Sequence, residues 1–160
     1  MSTNEQNTGT FKLQDTATMP AAKPPSRVHV VWDGDHRFDT RRANGSATSR
    51  IDASGKTGVG PVDMLLSALA SCTAIDVIEI LAKRKSPVSA LTVDVVGERH
   101  NGIPARVVKI HLTYTMVSDV DRCHAERAID LSVTKYCSVR DSLDPNLPIE
   151  WSLVLNGETA

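Results

Sequence analysis

The stretch Gly60 to Lys85 reads GPVDMLLSALASCTAIDVIEILAKRK, and its reading decides the fold. It predicts one long helix. Pro61 suits a first helical position, where its missing N–H is no loss. Asp63 in the first turn meets the positive end of the helix dipole, and Lys83, Arg84 and Lys85 meet the negative end. Pro87 ends the run. Between these ends apolar residues lie on every side of the helical wheel, the pattern of a buried helix rather than an amphipathic one. A membrane span is the competing reading. Asp76 and Glu79 argue against it, since an aspartate alone costs about 2.5 kcal/mol or more in hydrocarbon. Ser67, Ser71 and Thr73 also interrupt the run. The expectation is a core helix wrapped by sheet, with a thiol, Cys72, at its middle.

Outward from the helix, the chain reads as hairpins on either side. Arg27–Trp32 alternates as a strand, Asp33-Gly34-Asp35 is a hairpin signal, and His36–Thr40 returns. Ala43-Asn44-Gly45 turns into a third strand, Ala47–Ile51, and Ala53–Gly60 is a loop of mostly small residues leading to the helix. Beyond it, Leu91–Arg99 and Ala105–Thr115 read as strands, with a tight turn expected at Asn101-Gly102. Asp119 or Asp121 can cap a helix over Arg122–Lys135. A short helix follows to about Leu143, and Ile149–Leu155 is a final strand. Segregated hairpins and helices make the class α+β with antiparallel pairing. The domain is expected over residues 26–157, after a polar tail, 1–25, expected to be disordered.

The 160 residues suffice for one domain with a sizeable core. A net charge of −1 argues against a broad nucleic-acid footprint or a polybasic membrane surface. The polar N-terminus lacks the apolar core of a signal peptide. Three cysteines without close pairing do not form a secreted disulfide framework, so the expected compartment is the cytoplasm. No cofactor or metal signature is present. The five histidines show no ligand spacing, and a zinc site from Cys72, Cys137 and a histidine has no motif behind it. Gly58-Val59-Gly60 lacks the spacing of a phosphate loop. On spacing alone, Cys72 and Cys137 read as small core residues rather than as a reactive pair. Cys123, among charged neighbours, reads as incidental.

Two segments in order, GPVDMLLSALASCTAIDVIEIL and AIDLSVTKYCSV, resemble the OsmC/Ohr family of cysteine-based peroxide reductases. The likeness spans about Arg27 to Asn156, and is strongest to the branch with Thr-Ala-Ile-Asp after the first cysteine. It implies an intertwined homodimer with the long helix between sheets and the site at the interface. It implies a thiol-dependent reduction of organic hydroperoxides, with Cys72 and Cys137 as the redox pair and a dithiol as reductant. Cys72 then takes the peroxidatic role. Cys137, near a helix start whose N–H groups favour a thiolate, takes the resolving one. Family members activate the first cysteine with an arginine from the N-terminal strands, held by a glutamate ten residues before it. Here that position is Val62, Asp63 is the only carboxylate in that turn, and Arg37, Arg41 and Arg42 are the available arginines. Arg42 is preferred because an unbroken strand puts it on one face with Phe38. The alternative is a non-catalytic dimer that binds an apolar ligand or senses redox state.

Overall fold

The Asp33-Gly34-Asp35 hairpin forms as expected, with Gly34 and Asp35 in the left-handed region at φ 81° and 47°. It joins β1 (Val28–Trp32) to β2 (Arg37–Arg42), and β3 (Thr48–Asp52) completes a three-stranded antiparallel sheet. The structure, a computed structural model, describes residues 23–159, so most of the segment expected to be a disordered tail lies outside it. Asp52 anchors the loop after β3. Its carboxylate accepts bonds from the backbone N–H and the hydroxyl of both Ser54 and Thr57, at 2.7–3.0 Å. These bonds hold its carboxyl well below the ordinary value. Gly58 lets this loop lie against β3, since a Cβ there would fall 2.5 Å from the Arg50 carbonyl oxygen.

Helix α1 runs Pro61–Lys83, within the expected bounds. The Gly60 N–H donates to Asp63 Oδ2 at 3.0 Å, one half of a capping box. At the other end Lys85 adopts φ 63°. The Ser86 and Lys85 N–H groups then reach the Leu81 and Ala82 carbonyls at 3.1 and 3.0 Å, a Schellman closure. The helix is long and apolar enough to cross a membrane, but here it rests on a sheet. Leu69, Thr73, Val77 and Leu81 form its buried face. Leu65, Ile75 and Ile78 remain exposed. One chain therefore covers one face of a helix that is apolar on all of them.

The second sheet orders as β4 (Val88–Arg99), β5 (Val107–Ser118), β6 (Ile149–Leu155) and β7 (Glu158–Thr159). Three differences from expectation appear. The β4–β5 connection runs from His100 to Arg106 instead of turning tightly at Asn101-Gly102. Strand β7 folds back on β6 through Asn156 and Gly157, both at positive φ. And β5 pairs with β6 in parallel, with Leu112 opposite Trp151, although the other strand pairs among the described residues are antiparallel. The parallel pair follows from the long crossover between them, which contains both remaining helices. Gly97 of β4 permits close approach of α1, since a Cβ there would stand 2.9 Å from Leu66 Cδ1.

Candidate functional site

The site is built where that crossover meets the middle of α1. Helix α2 (Arg122–Leu131) buries Ala125, Ala128 and Ile129. The sequence predicts an α-helix continuing to Lys135. Instead Ser132–Tyr136 form one π-helical turn, closed by the Cys137 N–H on the Ser132 carbonyl at 3.0 Å. Cys137 then caps a single helical turn, α3 (Ser138–Asp141). Single π turns inside α-helices frequently mark functional sites.

This turn brings Cys137 to Cys72. Their sulfurs and a carboxylate oxygen of Asp76 all lie within 4.8 Å of one another. Cys137 is buried and Cys72 half-buried. Asp76, one helical turn after Cys72, shares its face of α1. Ser132, fully buried, places its hydroxyl 3.0 Å from both Asp76 Oδ2 and the Thr73 carbonyl, so its one proton is shared between them. Tyr114 of β5 closes the floor. Its hydroxyl donates to Thr73 Oγ1 at 2.7 Å, and burial pushes it up to about 12.

Electrostatics departs from expectation at Cys137. The Arg140 N–H does donate to its sulfur, at 3.3 Å, which favours a thiolate. Burial outweighs that bond, and with the neighbouring Cys72 sulfur pushes the thiol up to about 11. Among the described residues, no lysine or arginine side chain bonds to Cys72, Asp76 or Cys137. The Arg140 guanidinium instead reaches the Asp144 and Pro145 carbonyls.

The other expected site residues lie elsewhere in the chain. Asp63 caps the N-terminus of α1, nine positions and about 13 Å of helix from Cys72. Arg42 does share a face with Phe38, because β2 pairs without a bulge, but it ends that strand beside Pro24, Arg27 and Asn44. It is exposed and is not brought to Cys72 within one chain. Arg37 and Arg41 lie on the opposite face of β2. Val62 is half-buried at the helix start. Cys123 is exposed on α2. Asp76 and Ser132 are the residues that sequence reasoning missed. The signal for Asp76 was its i, i+4 spacing from Cys72.

A long helix on a mixed sheet, with two converging thiols supplied by the helix and by the crossover, defines a thiol-pair protein of α+β architecture. The family model described as OsmC-like protein matches residues 53–152, and the chain belongs to that family. Protein YhfA of Escherichia coli K12 is 32% identical over 127 residues, covering 79% of this chain and 95% of its own. A hypothetical protein from Aquifex aeolicus VF5 is 28% identical, with a TM-score of 0.70 over 84% of this chain and 99% of its own. The organic hydroperoxide resistance protein OhrB of Bacillus subtilis shares the fold, at a TM-score of 0.57 and 16% identity over 81% of this chain and 98% of its own.

Proposed function

We propose that the chain is a thiol-dependent reductant of organic hydroperoxides. The carrying observation is the meeting of Cys72 and Cys137 within 4.8 Å, close enough for a small movement to join them. The Cys72 thiolate attacks the outer peroxide oxygen. The O–O bond breaks, an S–O bond forms, and the alkoxide leaves and takes a proton to become the alcohol. Sulfur is oxidised by two electrons to a sulfenic acid. Cys137 sulfur then attacks it, forming the disulfide and releasing water. An external dithiol restores both thiols by exchange. Half-exposure suits Cys72 to the first step, and burial suits Cys137 to the second.

The functional unit is read as a homodimer. Val28, Val30, Trp32 and Phe38 leave an apolar face of the N-terminal sheet exposed, and Arg42 sits on that face. The free faces of α1 are apolar as well. Covering both with a second copy buries them and can deliver an arginine to Cys72. Light scattering at micromolar concentration is expected to give twice the chain mass. Titration of the reduced protein with cumene hydroperoxide is expected to consume both thiols per equivalent. A monomer, or intact thiols, overturns the respective part.

One observation favours a second reading. No cation bonds the thiol pair among the described residues, while a groove of about 520 Å³ runs between α1 and β4, with Leu66, Ala70, Ile78 and Val93 along it and Asp63, Ser67, Ser71 and Asp94 as its polar lining. That fits a dimer binding an apolar ligand that carries a polar end. Thiols that survive peroxide, together with saturable binding of a fluorescent fatty acid, would select it.

A further inference from the structure

We propose that Cys72, Asp76 and Cys137 form a binding site for a thiophilic divalent cation, with Zn²⁺ the ion that fits best. Their two sulfurs and one carboxylate oxygen lie within 4.8 Å of one another. Around a tetrahedral zinc, with Zn–S near 2.3 Å and Zn–O near 2.1 Å, sulfurs stand about 3.8 Å apart. A contraction of about 1 Å at most therefore closes the site. The supports are already rigid. Cys72 and Asp76 project from adjacent turns of α1, and Cys137 is held by the Arg140 N–H. The Ser132 hydroxyl, fully buried, fixes one oxygen of Asp76 and leaves the other free, the supporting bond that ligating carboxylates commonly have.

Charge points the same way. Once the ion displaces the thiol protons, two thiolates and a carboxylate meet in one place, and among the described residues no lysine or arginine side chain bonds to any of them. A dication supplies the missing counter-charge. Two sulfur donors disfavour Mg²⁺ and Ca²⁺, which take oxygen, and favour zinc. Three protein ligands leave the fourth position open to water, as catalytic rather than structural zinc sites do. A cavity of about 470 Å³, lined by Asp76, Glu79, Ile80, Lys83, Leu131 and Tyr136, reaches the carboxylate side of the site. Binding displaces the two thiol protons to solvent and changes no oxidation state. Metal and disulfide then exclude each other: the ion shields the pair from oxidant, and oxidation releases the ion. The proposal needs only the reduced thiols, and so stands apart from the peroxide chemistry.

The test uses the reduced, chelator-stripped full chain. Titration with Co²⁺ is expected to give thiolate-to-cobalt charge-transfer bands that saturate at one ion per chain and vanish as Zn²⁺ displaces it. Competition against a chromophoric chelator then ranks the variants. Cys72→Ser is expected to lose the bands. Asp76→Ala is expected to bind zinc at least roughly tenfold more weakly, and Ser132→Ala roughly tenfold more weakly, the scale of outer ligand support. Asp76→Asn, which keeps the side chain's shape, serves if the alanine variant does not fold. Absence of thiolate bands in the wild type overturns the proposal. So does zinc binding of wild-type strength in a folded Asp76 variant. Peroxide consumption by the stripped wild type is measured separately, so failure of either reading is recognised without the other.

Discussion

Ser132 and Asp76 are joined by a 3.0 Å hydrogen bond that ties the π-helical turn to the middle of α1. The serine is wholly buried, and its other neighbour is the Thr73 carbonyl, also at 3.0 Å. Hydrogen bonds to charged groups contribute about 1.5–3 kcal/mol. Ser132→Ala is therefore expected to lower unfolding free energy by about that amount. Urea denaturation measures it. A loss under about 0.5 kcal/mol, the scale of surface substitutions, would mean the bond is not made in solution.

The division of labour between the thiols is open to direct trapping. Cys72→Ser is expected to abolish peroxide consumption. Cys137→Ser is expected to consume about one equivalent and stop at a sulfenic acid, which dimedone labels and excess peroxide over-oxidises. Cys123, exposed on α2, is expected to be dispensable. Mass spectrometry reads all three, and dimedone on Cys137 in the Cys72→Ser chain would reverse the roles.

Tyr114→Phe removes one buried hydroxyl without changing the shape of the ring. Thr73 keeps its own bonds to the Leu69 and Ala70 carbonyls at 3.1 and 3.0 Å, so no donor is orphaned. The expected cost is about 1 kcal/mol, a fall in Tm of about 2–4 °C by calorimetry. A rise in Tm would show that the phenol is strained where it stands.

Acid should act on the loop after β3. The Asp52 carboxyl lies below its unfolded value, so its contribution to stability is complete above about pH 4 and is lost as pH falls through the folded value. Asp35, His36, Arg37 and Lys56 share the cavity beside it. Amide exchange at Ser54 and Thr57 is expected to stay slow at pH 4 and to quicken in stronger acid. In Asp52→Asn it is expected to be fast throughout. Equal protection in both proteins would remove Asp52 as the anchor.

Much of this architecture was legible in the residues. Proline, aspartate and a run of lysine and arginine marked the ends of α1, and Asp-Gly-Asp marked the first hairpin. The parallel strand β6 was not legible, because strand direction depends on where a crossover lands rather than on local pattern. The π turn was equally hidden, since Ser132–Tyr136 has the composition of an ordinary helix. Cys72 and Cys137 stood out through the family resemblance. Asp76 did not, because it entered only as an obstacle to membrane insertion and as the end of the Thr-Ala-Ile-Asp motif, with no role of its own. Which face of α1 its own chain covers was not legible either, because apolar residues lie all round it; a four-stranded sheet and a short helix shield a single face.

The π turn has a further consequence, best expressed as angular phase. The turn spends five residues, from Ser132 to Cys137, on about the rotation that regular α-helix covers in four, roughly 400°. Deleting Thr134, whose side chain is exposed, would let α2 run on as regular helix at little cost to packing. Cys137 would then follow Ser132 by four positions and close the same backbone hydrogen bond, keeping its place beside Cys72. Such a chain is expected to fold and to keep rapid disulfide formation, as measured by free-thiol titration after peroxide. Loss of that reactivity would show that the loosened geometry of the turn, and not its phase, serves the thiols. The turn absorbs one extra residue without re-aiming the pair.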